Sequence, residues 1–187
     1  MAHLTRYYMY KKIGEYFKEP IKGKILGISG IENFHFLINI ENSELTEVEY
    51  PEVDMQNLPY KDNSFDFVIS DQVIEHLEDP KKAIGESYRV LKKDGIAIHT
   101  TCFINYIHLC PKDFWRFSIE ALKYTCKDFS EIIQCESWGN RLAIFLCFLS
   151  NRFRFMNIPE AKWSIRKLIA TYNEFEYPIV TWVIAKK

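Results

Sequence analysis

Hydrophobic and polar positions along the middle of the chain predict a strand, a helix and a second strand. The run 65–70 is apolar enough for a strand that is buried on both faces of a sheet. Asp79-Pro80 is a typical helix start, and Asp94-Gly95 is the predicted helix end. One face of this helix is apolar at helical spacing: Ile84, Tyr88 and Leu91. With a further strand over 96–102, the order gives a βαβ unit whose two strands are parallel.

The same patterns on either side extend this unit into an alternating series. Strands are predicted over 24–29, 45–50, 132–138 and 177–185, and helices over 4–18, from Ser118, and over 142–155, the last packed on the sheet. Alternating elements of this kind indicate a doubly wound α/β fold with a mainly parallel sheet between two helical layers. Such folds bind ligands at the carboxyl ends of the strands, where the strand order reverses.

Composition and charge narrow the class of protein. The chain has 187 residues, of which 48% are hydrophobic and 26% are charged, so it can bury a core of ordinary size. We find no repeat and no flexible linker, and we expect a single domain over 1–187. The formal net charge of -1 argues against a general nucleic-acid binder, which normally carries a basic surplus.

Targeting and cysteine signals point to the cytoplasm. The N-terminal residues lack the apolar core of a signal peptide. The longest apolar run, 142–149, is far shorter than the roughly 20 residues of a membrane-spanning helix, so no membrane span is expected. The five cysteines are odd in number and show no metal-ligand spacing. We therefore expect free thiols and no metal site.

A linked run of motifs in the middle of the chain resembles a known enzyme family. The segments are 58–70, Glu75-His76-Leu77, Asp79-Pro80 and 89–95. In this order and spacing they are similar to class I S-adenosylmethionine-dependent methyltransferases, of the methyltransferase type 11 kind. The resemblance implies a Rossmann-like fold, with S-adenosyl-L-methionine as cofactor and S-adenosyl-L-homocysteine as product.

The resemblance also implies cofactor-binding positions. Glu49 ends a predicted strand and is the candidate for the ribose hydroxyls, with a solvated acid as the alternative. Asp54 and Met55 are placed near the adenine, although Asp54 can instead cap the following turn. Asp71 and Gln72, directly after a buried strand, are placed beside the methionyl part of the cofactor, with an ordinary loop as the alternative.

The first loop departs from the family pattern. Gly27 stands where the family usually has an acid, although Ser29 and Gly30 can still make the turn. If this loop has lost its hold on the cofactor, Gly27→Asp should raise the affinity sharply. The stretch 50–54 is also too short for the usual helix between the second and third strands of the family, so we expect a sheet trimmed there.

A second segment supplies candidates for the methyl acceptor. His108 and the run 111–118 resemble methyltransferases linked with polysaccharide and sugar metabolism. His108 or Asp113 is the candidate general base, Trp115 can stack on a ring, and Arg116 can meet a phosphate or carboxylate. The alternatives are that Trp115 belongs to the core and that Arg116 pairs with an acid.

Three functions follow from these patterns. The first is S-adenosylmethionine-dependent methyl transfer to a small-molecule or sugar-containing acceptor. The second is a methyltransferase-like binding or partner module with weak or no turnover, suggested by the altered loop at Gly27. The third is an α/β domain for another nucleotide, against which stands the lack of a Gly-x-Gly-x-x-Gly motif after the first predicted strand.

Overall fold

The computed structural model describes residues 3–35, 38–40, 43–159 and 163–187, and its strands form one six-stranded sheet. The strands are β1 (Gly23–Ile28), β2 (Ser43–Val48), β3 (Phe65–Asp71), β4 (Leu91–Cys102), β5 (Glu131–Trp138) and β6 (Val180–Lys186). Their order across the sheet is β2-β1-β3-β4-β6-β5. The strand order therefore reverses between β1 and β3, which places a switch point at their carboxyl ends.

Strand directions confirm the predicted mainly parallel sheet. The pairs β1–β2, β1–β3 and β3–β4 are parallel. Strand β6 is antiparallel to both of its neighbours, β4 and β5, so it alone runs against the other five. Chain 49–64 forms turns without a helix or strand and leaves β2 at the sheet edge. The predicted trimming of the sheet at this place is thus confirmed.

Helices cover both faces of the sheet. They are α1 (Leu4–Tyr16), α2 (Glu32–His35), α3 (Pro80–Val90), α4 (Ile119–Thr125), α5 (Arg141–Leu149), α6 (Asn151–Arg154) and α7 (Ile165–Thr171). Successive residues of β1 enter different cores: Ile25 belongs to the core that also contains residues of α1 and α7, whereas Leu26 belongs to the core that contains residues of α3 and α4. This alternation follows from the twofold period of a strand, and it gives the three-layer α/β/α arrangement that the sequence predicts.

The start of α3 is as predicted, but its end is not. The Asp79 side chain accepts a hydrogen bond from the Lys82 amide, with Pro80 at the first helical position. The helix ends at Val90 rather than at Asp94-Gly95, because β4 begins directly at Leu91. Asp94 instead adopts a left-handed backbone with φ 64° within the strand.

The single helix predicted over 142–155 is two helices. The chain breaks at Ser150, whose hydroxyl accepts from the Arg152 amide and starts α6. Helix α5 buries Ala143 and Cys147 and packs the half-buried Ile144 against the same core, so the prediction that its apolar run is packed on the sheet holds for one face alone. Four large apolar side chains on its other face are exposed: Leu142, Phe145, Phe148 and Leu149.

The structure bears on two further expectations, the state of the cysteines and the lack of a membrane-spanning helix. All five cysteines have free thiols, as the sequence predicts. Over the part of the chain that the structure describes, no helix combines the length and apolarity needed to cross a bilayer.

His99 gives the fold a defined dependence on pH. Its ring is fully buried on β4, with Nδ1 2.8 Å from Ser70 Oγ, and burial lowers its pKa to about 4. In the unfolded chain the pKa returns to about 6.5, so the unfolded state binds an extra proton between these values. We expect the free energy of unfolding to fall as pH drops below about 6.5, by about 2–3 kcal/mol at pH 4.5.

Urea unfolding at pH 7 and 4.5, with His99→Asn as the matched variant, measures how much His99 contributes to the pH dependence of the unfolding free energy. Asparagine can keep a polar atom near Ser70 but does not titrate. The variant is expected to be less stable at pH 7 and to lose about 2–3 kcal/mol less on acidification. An equal loss in both proteins would show that His99 does not bring about the pH dependence.

Candidate functional site

A cavity of about 540 Å³ opens at the switch point, at the carboxyl ends of β1 and β3. We call it the strand-end cavity. Five of the predicted cofactor-binding residues line it: Ser29, Asp54, Met55, Asp71 and Gln72. Its volume falls within the roughly 300–1,000 Å³ of typical small-molecule pockets. The structure therefore brings together residues from three separate stretches of sequence at the place where this fold class binds ligands.

Two strained residues end the neighbouring strands at this cavity. Ser29 after β1 and Gln72 after β3 both have φ 59°, in the left-handed region that non-glycine residues avoid. The Ser29 amide donates to the Val48 carbonyl at 2.9 Å, and the Gln72 amide donates to the Thr100 carbonyl at 3.1 Å. Backbone strain that neighbouring strands hold in place is typical of ligand sites.

Asp71 is held by a buried network at the floor of the cavity. Its side chain is only 2% exposed, and it accepts hydrogen bonds from the Tyr10 hydroxyl and from Thr100 Oγ1, the latter at 2.5 Å. Arg6 Nη1 lies 3.8 Å from the same carboxylate. Burial, with the Asp71 charge, raises the pKa of Tyr10, so this hydroxyl stays protonated and donates. The network fastens α1 to the end of β3.

The remaining predicted cofactor residues differ in their placement. Asp54 caps its own turn, because its Oδ1 accepts from the Gln56 amide at 2.8 Å, and it lines the cavity as well. Met55 is buried and forms part of the cavity wall. Gly30, with φ 66°, completes the turn after Ser29 but is not a lining residue. Glu49 is exposed and also lies outside the lining, so its ribose role stays a prediction.

Packing explains the glycine at position 27. A Cβ atom there would lie 2.8 Å from both Cγ1 and Cδ1 of Ile31, a fully buried side chain. The volume that an acid at position 27 needs is thus occupied by Ile31. The expectation that Gly27→Asp simply raises cofactor affinity is revised, because the carboxylate has no room until Ile31 moves.

The matched pair Gly27→Ala and Gly85→Ala tests this packing. Overpacking against Ile31 is expected to lower the free energy of unfolding by about 1–3 kcal/mol in Gly27→Ala. A Cβ at Gly85, inside α3, meets nothing within 4 Å, so that variant should gain about 0.5–1 kcal/mol from helix propensity. Urea unfolding of both measures the difference, and a neutral Gly27→Ala would contradict the packing argument.

A second cavity, of about 240 Å³, lies beside the first between the N-terminal segment, the chain after β4 and α6. We call it the arginine cavity, because Arg6 and Arg154 both line it. Arg6, Gln72 and His108 line both cavities, so the two meet at these residues. Sequence reasoning missed Arg6 and Arg154, since neither belongs to a motif and the two residues lie far apart along the chain.

His108 is fixed in place at this junction. Its Nδ1 lies 3.2 Å from Asp113 Oδ2 and from the Tyr106 carbonyl oxygen, and its amide donates to Asp113 Oδ2 at 2.8 Å. Asn105 Nδ2 lies 3.2 Å from the same Nδ1. Because two oxygen acceptors face this nitrogen, we assign the proton to Nδ1, the tautomer that leaves Nε2 with the free lone pair. Burial lowers the pKa of His108 below its usual value, so the imidazole is neutral at pH 7.

The Asp113 carboxylate is already engaged by other groups. Both of its oxygens accept from the Arg116 guanidinium, and the side chain is 1% exposed. Hydrogen bonding to Arg116 holds the pKa of Asp113 well below its usual range. Arg116 thus pairs with an acid, the alternative that the sequence left open, and Asp113 is placed to orient His108.

Trp115 lies outside both cavities. Its indole Nε1 donates to the Leu77 carbonyl at 2.9 Å, while the ring is 45% exposed. It is therefore not part of the core, and it is not brought to the same place as His108. Its neighbour Phe114 lines the strand-end cavity instead.

Three potential metal ligands also come together at the junction. One ligand atom each of Glu75, Cys102 and His108 lies within 4.8 Å of the others. Burial raises the pKa of Cys102 to about 12, so its thiol stays protonated and is a poor ligand at neutral pH. Burial also raises the pKa of Glu75. Both shifts disfavour the anionic forms that a metal ion requires.

Comparison with known proteins places these features in a family context. Residues 15–99 match the family model described as a methyltransferase domain. The ubiquinone/menaquinone biosynthesis C-methyltransferase of Campylobacter jejuni is 35% identical over 74 residues, 40% of this chain and 32% of that protein. A 2-methyl-6-phytyl-1,4-hydroquinone methyltransferase of Oryza sativa is 39% identical over 38% of this chain and 19% of its own length. The match thus spans about a third or less of these relatives.

Solved structures share the fold over nearly the whole chain. A phosphoethanolamine N-methyltransferase of Haemonchus contortus in complex with S-adenosyl-L-methionine aligns with a TM-score of 0.65 and 18% identity, over 97% of this chain and 52% of that one. A SAM-dependent methyltransferase from Archaeoglobus fulgidus aligns with a TM-score of 0.61 and 19% identity, covering 96% and 91% of the two chains. At such identities the likeness establishes the fold alone.

Proposed function

We propose that this protein transfers a methyl group from S-adenosylmethionine to a small molecule. Residues 15–99 match the methyltransferase-domain model, and the predicted resemblance to S-adenosylmethionine-dependent methyltransferases is confirmed. The observation that carries the proposal is the meeting of two cavities at His108. One cavity is lined by the predicted cofactor residues, and the other is free to take the acceptor.

The residues of the strand-end cavity fit this cofactor. Its apolar wall, including Ile28, Val53 and Met55, suits the adenine ring. Ser29 and Gln72 line the same cavity, and their side chains supply polar groups at the ends of β1 and β3. The Asp71 carboxylate offers further acceptor capacity for the amino group of the methionyl part. When bound, the cofactor supplies a methyl group on a positively charged sulfur.

The protein has two tasks in such a transfer. It must hold donor and acceptor in line and keep water away, and two cavities that share lining residues place the two binding sites side by side for this purpose. His108 then accepts the proton of the acceptor hydroxyl or amine, because its Nε2 carries the free lone pair and its ring is neutral at pH 7. Asp113 and Arg116 are positioning residues that hold the ring.

The names of the relatives support a small-molecule acceptor. The Campylobacter and Oryza proteins are named for quinone-type substrates. The sugar-containing acceptor that the run 111–118 suggested has no counterpart among them. We therefore keep the proposal at a small molecule whose acceptor group, a hydroxyl, an amine or, as the name of the Campylobacter C-methyltransferase indicates for that protein, a carbon, loses a proton to the neutral imidazole.

Calorimetric titration with S-adenosylhomocysteine tests the cofactor site. We expect micromolar binding by the natural protein, and at least several-fold weaker binding by Asp54→Ala, because its turn and its carboxylate both shape the cavity. Glu52→Ala is the matched control, since this acid of the same loop is exposed and does not line the cavity. If the natural protein shows no binding at millimolar ligand, the alternative of a partner module without turnover replaces the proposal.

A further inference from the structure

The arginine cavity has a one-sided charge. Two arginines and two histidines line it, and no aspartate or glutamate does so among the described residues. Two guanidinium groups are charged at any physiological pH, so this surface carries a net positive charge. Asp71, 3.8 Å from Arg6, balances part of this charge from outside the cavity lining. The positive charge that remains, mainly on Arg154, is what an anionic ligand group requires.

We propose that the arginine cavity binds an oxyanion between Arg154 and Arg6. The oxyanion would be a phosphate or carboxylate group of the methyl acceptor, so this inference rests on the proposed function. Nothing in the sequence motifs marks these two residues. Arg116, the arginine that the motif offered for this task, is occupied by Asp113. The specificity of the acceptor site is therefore assigned to residues from the two ends of the fold, α1 and α6.

Arg154 is the main candidate for binding the oxyanion. It has no hydrogen bond or ion pair with any residue in 3–35, 38–40, 43–159 or 163–187. Its one specific contact is with Tyr106, whose ring centroid lies 4.6 Å from the guanidinium carbon. Stacking on an aromatic ring fixes the plane of the guanidinium and leaves its edge with free N–H donors.

The electrostatic surroundings of Arg154 favour an anionic ligand group. Burial lowers the pKa of Arg154, and the positive charge of Arg6 lowers it further. Arg6 is itself only partly neutralised, because its Nη1 lies 3.8 Å from Asp71, longer than a direct hydrogen bond. An oxyanion between the two guanidinium groups would relieve their repulsion and supply acceptors for several N–H groups.

The position of the cavity relates the anion to the reaction. Its volume of about 240 Å³ lies below the roughly 300–1,000 Å³ of pockets for drug-sized ligands, so it suits a small group such as a substituted ring. His108 lies on the side where it joins the strand-end cavity. Anchoring the anion at Arg154 would therefore direct the rest of the acceptor toward His108.

Three ring compounds of similar size test the proposal by calorimetry: phenyl phosphate, benzoate and neutral benzyl alcohol. At least one of the two anions is expected to bind ten or more times tighter than benzyl alcohol, and the tighter anion identifies the class. Arg154→Gln should reduce that affinity at least tenfold, and Arg154→Lys should recover part of it. Arg152→Gln is the matched control, because this exposed arginine of the same helix does not line the cavity.

Two results would overturn the anion site. One is equal binding of the three compounds, and the other is an equal loss of affinity for the anion in Arg152→Gln and Arg154→Gln. The titrations are repeated with saturating S-adenosylhomocysteine to separate the two proposals. Anion binding without binding of S-adenosylhomocysteine contradicts the proposed function alone, whereas the reverse contradicts the anion site alone.

Discussion

His108→Ala is expected to lower kcat for methyl transfer by about 10²–10⁴-fold, the usual contribution of a general base. The proton of the acceptor then has no partner at the junction of the two cavities. Affinity for S-adenosylhomocysteine should change less than twofold, because His108 is one of many residues that line the strand-end cavity. Initial rates with an acceptor from the anionic ring series, together with calorimetry, measure both quantities.

The pH profile separates a base from a merely structural histidine. The active form is the neutral ring, and burial lowers the His108 pKa, so the rate should rise with pH below about 6.5 and be flat above it. The charged and titratable groups around the ring are Asp113, Arg116, His76, Glu75 and Cys102. Asp113→Asn removes the charge that raises this pKa, so the rise should move to lower pH and kcat should fall. An unshifted profile would contradict the assignment of His108.

Asp71→Ala is expected to cost about 3–5 kcal/mol of unfolding free energy, the typical effect of removing one partner from a buried charged pair. The change leaves the Tyr10 hydroxyl and Thr100 Oγ1 without their acceptor and Arg6 without its counter-charge. Binding of S-adenosylhomocysteine should also weaken at least several-fold. Urea unfolding and calorimetry give the two values.

Asp66→Ala is the matched control from the other end of β3. Its carboxylate pairs with Lys92 at 2.7 Å but is 31% exposed, and such pairs contribute about 0–1 kcal/mol. Asp71→Asn keeps the shape and removes the charge, so its cost should lie between the two alanine variants. A loss in Asp71→Ala no larger than in Asp66→Ala would show that the network does not fasten α1 to the sheet.

Local signals in the sequence were enough for the architecture. The apolar run 65–70 and the Asp79-Pro80 start predict elements that the structure contains, because a doubly buried strand and a capped helix depend on neighbouring residues. The predicted end of α3 at Asp94-Gly95 was wrong, because β4 begins directly after the helix and includes these two residues. The break at Ser150 was missed because, in the sequence, a serine that caps a helix cannot be distinguished from a serine on the exposed face of a continuous helix.

The site was only partly predictable, for a different reason. Residues at strand ends, such as Ser29 and Gln72, could be placed because parallel strands end at one edge of the sheet. Arg6 and Arg154 could not, since their meeting depends on how α1 and α6 pack around the chain after β4. The same holds for Gly27, where the decisive neighbour, Ile31, acts through volume rather than through a motif.

A crystal structure of the protein grown with S-adenosylhomocysteine is the strongest test of methyl transfer between the two cavities. We expect the ligand to fill the strand-end cavity, with adenine against Met55, the methionyl end near Asp71, and the sulfur facing the junction at His108. The arginine cavity would then remain open for the acceptor. Density for the ligand in another place, or a sulfur turned away from His108, would contradict the proposed methyl transfer between the two cavities.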